Sequence, residues 1–342
     1  MDAAPRRTSL RDVADAAGVS PGTASRVLAR RGDYAPATRR AVLDAAERLG
    51  YDRTSTPRGR KPHTDPRLIE LVIGGVGNPW SNEVVTGAHE RAFELGYDVV
   101  LTRERDDPAD DWPARIAERR SSGVVLALVT PTRRQLDLLA GFAVPAVLLD
   151  PQAETDVALA SVGATNHQGG LDAGRHLVAQ GYEGFAFATG RLRYRFGRAR
   201  ERGFREAVAL ELPGATVDLV DAEWSGVSRA AVERLLALSD GRRLGIFAFN
   251  DDLAAILAAA LRDAGRRIPE DVGIVGFDDN PRLRTAALTT VRQPIAAMAA
   301  RAVELVDALR RGDPVPHRHV ELPTELIVRR TTGAPGPRTL ER

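Results

Sequence analysis

The chain has 342 residues, 43% of them hydrophobic, no cysteine and a formal net charge of +2. Its length favours two or three domains, its missing thiols exclude disulfides, thiolate metal sites and a cysteine nucleophile, and no apolar run approaches the roughly 18 residues of a membrane-spanning helix. The charge is uneven: residues 1–67 hold 14 Lys/Arg against 8 acids, a net +6 that leaves −4 on the remainder, which suits a nucleic-acid module joined to a different body.

The opening residues, MDAAPRRTSLRD, contain no apolar stretch that could act as a secretion signal, so a cytoplasmic protein is expected. In "SLRDVADAAGVSPGTASRVLARRG", Ser9 and Asp12 imitate a capping box, and Leu10, Val13, Ala14 and Ala17 recur at helical spacing. Gly18 permits a tight turn, Val19 can fill the angle between two helices, and Ser20 with Pro21 supplies an N-cap and a first helical position. A second helix then runs from Pro21 to about Ala29, with Ala24, Val27 and Leu28 inward. A third, "PATRRAVLDAAERLGY", packs Val42, Leu43, Ala46 and Leu49 against the first two, although Ala35 offers it no side-chain cap. Any small three-helix bundle could share this pattern. The Gly-Val-Ser-Pro turn followed by Ser-Arg-Val points instead to a helix-turn-helix, whose second helix enters the DNA major groove. Ser20, Pro21, Gly22, Thr23, Ser25 and Arg26 are then the candidate DNA contacts. Gly22 allows close approach, and Arg26 can bind guanine O6 and N7 in a bidentate pair.

Next comes "DRTSTPRGRKPHTDPR", which holds the chain's single lysine, Lys61. Pro57, Gly59, Pro62 and Pro66 disfavour a helix there, each interior proline costing about 3 kcal/mol. One reading is a basic tether held to DNA by phosphate attraction. The other is that "PRGRKP" resembles an AT-hook, whose extended Arg-Gly-Arg core would place Arg58 and Arg60 in a narrow A·T minor groove.

From Leu68 onward, short apolar runs alternate with amphipathic segments. Strands are predicted at LIELVIGGV, YDVVLTRE, GVVLALV, PAVLLD, GFAFAT, VDLVDA, GIFAFN and VGIVGFDD, and helices over 82–95, 110–121, 132–141, 168–180, 198–210, 227–238, 252–264 and 295–311. Such alternation implies parallel sheets covered by helices on both faces. The series restarts near residue 165 after a "VALASVGATN" connection, which suggests two similar halves. Ligands of such sheets bind beyond the carboxyl ends of the strands, where Asn78, Asp150, Asn166, Asn250 and Asp278 stand. Each alone could cap a helix or make a turn; together they suggest a site for a small polar molecule between the halves. "GRLRYRFGRAR" gathers Arg191, Arg193, Arg195, Arg198 and Arg200, either as an anion site or as an ordinary solvated loop of an arginine-rich chain. Catalysis is not expected. None of the six histidines stands in nucleophile-elbow or metal spacing, and neither a GxGxxG after a strand nor a phosphate-cradling P-loop occurs.

The stretch from Ser9 to Tyr51 is similar to the DNA-binding head of the LacI (lac repressor/galactose repressor) family of bacterial transcription regulators. "NPWSNEVVTGAHERAFELGYDV", "ERGFREA", "GIFAFNDDLAA", "IPEDVGIVGFDD" and "LTTVRQP" resemble successive blocks of that family's effector domain. The resemblance implies an all-α three-helix helix-turn-helix head over 1–53, a basic Pro-rich hinge over 54–67, an α/β body over 68–330 and a flexible tail over 331–342. The body would comprise two doubly wound parallel-sheet subdomains of periplasmic-binding-protein type, one over about 68–164 and 295–322, the other over about 165–294 and 323–330. It further implies that Ser81, Asp150, Asn166, Arg200, Trp224, Asn250 and Asp278 contact a small polar effector, most readily a sugar. Arg200, Asn250 and Asp278 would bracket vicinal hydroxyls, and Trp224 would offer a flat face to sugar C–H groups.

Several positions depart from the family pattern. Ala29 replaces a usual asparagine, Pro21-Gly22 replaces the usual base-reading pair, and the hinge lacks both the family's helix and its wedging leucine. Ser81 stands where many relatives carry an aromatic, and Thr165 where many carry Asp. The expected protein is a ligand-gated DNA-binding regulator, acting as a homodimer on a near-palindromic operator, without cofactor, metal or membrane partner. The ending "TTGAPGPRTLER" shows no heptad pattern for a tetramer. The alternative is a cytoplasmic sugar sensor whose DNA binding the ligand does not gate.

Overall fold

In the computed structural model, which describes residues 10–28, 34–49, 51, 66–105, 111–152, 159–189, 192, 194–222 and 226–333, the chain forms two units, 1–64 and 65–342. The first unit holds α1 (Leu10–Ala16), α2 (Pro21–Leu28) and α3 (Pro36–Arg48). Gly18 takes φ 65° in the turn between α1 and α2, a conformation open to glycine without steric penalty. The Ser20 hydroxyl accepts the N–H of Thr23 at 3.1 Å and so caps α2. Val13, Ala14, Ala24, Val27, Val42, Ala45 and Ala46 form the core, with Val19 and Tyr51 packed against it. Leu43 and Leu49 are 49% and 36% exposed, which corrects the expectation that both point inward. Val42, Ala45 and Ala46 occupy the positions three and four apart that face the other helices, and Leu43 falls outside that arc. Ser9 and the linker residues 57–62, Arg58 and Arg60 among them, lie outside the described residues.

The second unit contains two six-stranded sheets. Its strands are β1 (Leu68–Ile73), β2 (Asp98–Arg103), β3 (Gly123–Ala127), β4 (Ala146–Leu149), β5 (Ala160–Ala164), β6 (Gly184–Ala188), β7 (Val217–Val220), β8 (Leu244–Ala248), β9 (Val272–Asp278), β10 (Thr289–Arg292), β11 (His319–Leu322) and β12 (Glu325–Ile327). The first sheet runs β11-β5-β4-β3-β1-β2 and the second β12-β10-β9-β8-β6-β7. The pairings are parallel throughout except for β12, which runs antiparallel to β10. β5 is a full member of the first sheet, although "VALASVGATN" reads as a connection. Ala160, Gly163 and Ala164 have weak strand propensity, and the strand exists because β4 and β11 pair with it on either side.

Helices α4 (Pro79–Glu94), α5 (Trp112–Arg119), α6 (Arg133–Gly141), α7 (Asn166–Ala179), α8 (Arg195–Glu211), α9 (Arg229–Leu238), α10 (Asp251–Asp263) and α11 (Ile295–Arg311) link the strands. The chain passes from the first sheet to the second between β5 and α7. It returns between β10 and α11, and crosses again between β11 and β12. Each lobe therefore assembles from separated segments around its own core. Ile69, Leu71, Val84, Met298 and Val303 belong to the first core. Phe187, Phe204, Phe247 and Phe277 belong to the second lobe, each such side chain contributing roughly 1.5–3 kcal/mol by burial. Paired helices cover the sheets at very close range. A Cβ on Gly87 of α4 would lie 2.0 Å from the Ala296 carbonyl oxygen of α11, and one on Gly203 of α8 2.0 Å from the His167 carbonyl oxygen of α7. Only glycine tolerates such backbone approach.

Candidate functional site

In the head, the exposed face of α2 gathers the expected DNA contacts. Pro21, Gly22, Ser25 and Arg26 are exposed, while the inward Ala24 and Val27 are buried. The Ser20 and Thr23 hydroxyls meet at 2.9 Å, and the Arg26 Nε lies 3.3 Å from the Gly22 carbonyl oxygen, so its guanidinium runs back along the helix.

In the body, both sheets place their second strand outside the first, which opens a crevice beside β1 in one sheet and β6 in the other. Residues at the carboxyl ends of strands from both lobes line one cavity of about 540 Å³, within the range of about 300–1,000 Å³ usual for small-molecule sites. Four of its lining residues, Leu128, Asp150, Asp278 and Asp279, have positive φ values of 52°, 50°, 105° and 56°. Strained non-glycine backbone of this kind concentrates at binding sites, where the surrounding structure holds it.

The centre of the second lobe's wall is Arg200, only 2% exposed. Position 200 falls on the inner face of α8, and the guanidinium crosses the Phe277 ring at 3.5 Å. Its Nε donates to Asn166 Oδ1 at 2.8 Å and its Nη1 to the Phe249 carbonyl at 2.8 Å. Its Nη2 lies 3.9 Å from Asp278 Oδ1. The Asp278 carboxylate also accepts the Gln293 Nε2–H at 2.6 Å. Burial nonetheless lifts Asp278 to about 7, although Arg200 and Gln293 both pull it down. Burial likewise raises Asp150 to about 6. Asp251 rises to about 8, from burial first and the neighbouring Asp278 second. Its oxygens accept the Thr290 hydroxyl at 2.6 Å and the Asn280 N–H at 2.7 Å. Asp279 goes the other way: hydrogen bonds from Arg329 at 2.6 Å and Arg292 at 2.8 Å hold it below its ordinary value against the effect of burial.

Of the seven expected ligand contacts, Asp150, Arg200, Asn250 and Asp278 line this cavity. Asn250 does so while its Oδ1 accepts the Leu253 N–H at 3.0 Å, capping α10. Asn166 stands behind Arg200; its Oδ1 takes the Arg200 Nε–H and its amide donates to Ala164 O at 3.0 Å. It lines a smaller neighbouring cavity of about 300 Å³, which shares Asp150. Ser81 is not in the cavity wall, and that placement is corrected. It is the third residue of α4, where its hydroxyl and the Asn78 side chain cap the helix reciprocally. Trp224 lies outside the described residues, as do Arg191 and Arg193. Of the other arginines in that segment, Arg195 lies 3.9 Å from Glu321 and Arg198 donates to the Leu192 carbonyl, so only Arg200 enters the main cavity.

The wall contains residues the sequence reading did not pick out. Trp80 and Glu83 come from the first lobe, Phe196 and Phe249 from the second, and Gln293 from the passage between β10 and α11. A signal for Trp80 was available: Asn78 as N-cap and Pro79 as first helical residue fix the register that turns position 80 to the cavity. Phe196 sits inside a segment whose arginines drew attention away from it.

A model of the "Bacterial regulatory proteins, lacI family" matches residues 9–54, and one of the "Periplasmic binding protein-like domain" matches residues 175–332. The chain is 32% identical to the ribose operon repressor of Halalkalibacterium halodurans over 329 residues, which span 95% of this chain and 97% of that one. It is 29% identical to the transcriptional repressor PurR of Photobacterium profundum over 332 residues, spanning 94% and 98% of the two chains. Its fold superimposes on the transcriptional regulator CelR in complex with cellobiose with a TM-score of 0.67, at 27% identity and covering 95% of this chain and 100% of that one.

Proposed function

The chain belongs to the LacI family of bacterial regulatory proteins, and from that premise we propose that the body's cleft takes up a carbohydrate whose binding sets the head's affinity for operator DNA. The chain is a DNA-binding transcriptional regulator with a small-molecule effector, and not an enzyme. The observation that carries the carbohydrate reading is the fixed constellation of Arg200, Asp278, Asp150 and Asn250 between aromatic faces from both lobes, Trp80 on one side and Phe196 and Phe249 on the other. Oriented polar groups over flat apolar faces suit a ring that presents hydroxyls at its edge and C–H groups on its face.

The first lobe supplies a route from the ligand to the head. Helices α4 and α11 both begin at the cavity, with Pro79 and Ile295 in its wall. At the other end of α4, the Arg67 guanidinium donates to the Leu95 and Gly96 carbonyls and lies 4.3 Å from the centre of the Tyr97 ring. The Tyr97 hydroxyl in turn donates to Asp307 of α11 at 2.7 Å. Arg67 is the last residue of the linker, so a shift of these helices moves the point where the linker leaves the body. An effector displaces this equilibrium only by its differential affinity for the two arrangements, about 1–3 kcal/mol of coupling.

On the DNA side, Ser20, Pro21, Gly22, Thr23, Ser25 and Arg26 form the major-groove face, and Arg58 and Arg60 of "PRGRKP" enter a central A·T minor groove. Two heads of a cytoplasmic homodimer read the two halves of a near-palindromic site. Exposed apolar side chains on the first lobe, Phe93 at 76% and Leu101 at 48%, support self-association.

The test is a thermal-shift screen of the full chain against mono- and disaccharides. It is followed by fluorescence anisotropy on a DNA site selected from a random library. A stabilising sugar that changes DNA affinity is expected. A panel in which none stabilises the chain sinks the carbohydrate reading, and a sugar that binds without altering DNA affinity leaves a sensor that does not gate the head. Replacing central A·T steps by G·C without loss of affinity would refute the minor-groove role of Arg58 and Arg60.

A further inference from the structure

The charge of the cleft is one-sided. Among the described residues, Glu83, Asp150, Asp251, Asp252, Asp278 and Asp279 line it, against Arg200 and Arg292. The two cations are already committed. Arg292 bonds Asp279 at 2.8 Å and Glu325 at 3.3 Å, while Arg200 faces Asp278 at 3.9 Å. Asp279 is further neutralised by Arg329 at 2.6 Å. Asp150 faces Arg200 and Arg195, while Asp251 and Asp252 meet neutral donors: Asp251 takes the Thr290 hydroxyl and the Asn280 N–H, and Asp252 takes the Asn280 Nδ2–H at 2.9 Å. Among the described residues, no ion pair closes on Glu83, Asp251 or Asp252.

The hydrogen-bonding balance leans the same way. The Gln293 amide is oriented by its Nε2–H bond to Asp278, which leaves Oε1 buried and without a partner among the described residues. Most of Arg200's donor capacity goes to Asn166, the Phe249 carbonyl and Asp278. The wall is therefore rich in acceptors and lined by three aromatic rings, and its buried cation is largely committed. A phosphate or carboxylate would add to the negative charge, and a neutral sugar would satisfy the acceptors but not the charge. An ammonium group does both, since it brings three donors and a positive charge that carboxylates and aromatic faces both attract.

We propose that the effector is a protonated amine built on a polyhydroxylated ring, an amino sugar or a close analogue, whose ammonium group lies among the carboxylates of this cleft. The inference rests on the carbohydrate reading and narrows it. Burial and mutual repulsion hold Asp251 and Asp278 far above ordinary carboxylates, so near neutral pH they largely keep their protons in the empty cleft, and a bound cation would draw them back to the charged form.

The experiment uses matched pairs that differ only in an ammonium or a hydroxyl at one carbon: D-glucosamine with D-glucose, D-galactosamine with D-galactose and D-mannosamine with D-mannose. Each is titrated calorimetrically into the full-length protein at neutral pH, where the amine still largely keeps its proton and the raised carboxyl groups of the cleft can ionise on binding. In at least one pair the amine is expected to bind about tenfold tighter or more, equivalent to about 1.4 kcal/mol. N-acetylation, which removes the charge, should abolish that preference. Asp252→Asn and Glu83→Gln should each lower the amine-to-hydroxyl affinity ratio. Equal or weaker binding of every amine, or an unchanged ratio in both variants, overturns the proposal. If neutral sugars bind and amines do not, only the charge assignment fails; if no carbohydrate of either kind binds, the carbohydrate reading fails with it.

Discussion

The two lobes repeat one strand order around a shared cleft and yet present unlike walls. The second lobe contributes Arg200, Asn250, Asp251, Asp252, Asp278 and Asp279, while the first contributes mainly Asn78, Trp80, Leu128 and two acids, Glu83 and Asp150. Topology accounts for where the cavity lies, because both sheets direct their strand ends into it. It does not account for what the cavity holds, which depends on a handful of side chains placed just after β3, β4, β8 and β9 and at the starts of α4 and α8. The division also separates tasks. On the proposed reading the second lobe would hold a ligand through oriented polar groups, and the first would offer a flat ring on the helix whose far end holds Arg67.

Each lobe holds a deeply buried charge, Arg200 in the second and Glu70 in the first, and replacing each in turn separates binding from scaffold. Arg200→Ala takes away a guanidinium that is 2% exposed and leaves Asp278 and Asp150 without their buried cation. Loss of one member of such a cluster costs about 3–5 kcal/mol. The first lobe's counterpart is Glu70, fully buried on β1. It accepts from Thr102 at 3.0 Å, Ser121 at 2.8 Å and Arg119 at 3.2 Å, and it is not among the residues lining the main cavity. Glu70→Ala should cost less, roughly 2 kcal/mol, because Arg119 is 38% exposed and water screens it. Urea midpoints should fall for both variants. The ligand-induced rise in Tm should vanish for Arg200→Ala and persist for Glu70→Ala. Persistence in both would mean that the second lobe's charges do not bind the effector.

This contrast also marks what the sequence could and could not say. Alternating apolar runs located eight strands and eight helices of the body, the strand-end rule found Asn78, Asp150, Asn250 and Asp278 around one cavity, and Arg200 came from the family resemblance. β5 escaped because its small residues have no strand character of their own, only partners on both sides. Gln293 escaped because its position depends on the chain's return from one sheet to the other, a long-range fact that no local pattern carries. Asn166 was expected beside the others, and its Oδ1 instead accepts from Arg200: the side chain that follows a strand can face the cavity or the residue behind it, and only the path of α8 decides which.

The buried carboxylates of the cleft should give the protein without ligand a pH dependence opposite to the usual one. Asp278 at about 7, Asp150 at about 6 and Asp251 at about 8 all lie above their unfolded value, which is near 3.9. Between those values the folded chain binds more protons than the unfolded chain, so stability falls as pH rises. Asp279 has the opposite sign, but its depressed value places its contribution below this window. Denaturant unfolding without ligand should therefore show stability decreasing from about pH 5 to pH 8 by at least one pKa unit's worth, about 1.4 kcal/mol. Asp278→Asn should flatten the slope. A rise over that range would show that the cluster is already neutralised by its surroundings.

Two adjacent residues of the first lobe provide the finest division, because the α4 register gives them opposite duties. Trp80 turns to the cavity, while Ser81, 1% exposed, bonds the Asn78 carbonyl at 2.9 Å and the Asn78 N–H at 3.2 Å. Trp80→Ala removes the first lobe's only aromatic face among the described cavity residues, and should weaken effector binding about tenfold, or about 1.4 kcal/mol. Trp80→Phe should keep most of the affinity, since a ring face remains. Ser81→Ala should leave the flat face in place but open the reciprocal cap, lowering stability by about 0.5–1 kcal/mol. Calorimetric titration and urea unfolding of both variants separate the two duties. If Ser81→Ala lost affinity while Trp80→Ala lost only stability, α4 would be turned by about one residue in the ligand-bound protein, and the first lobe would join the second in binding through polar groups.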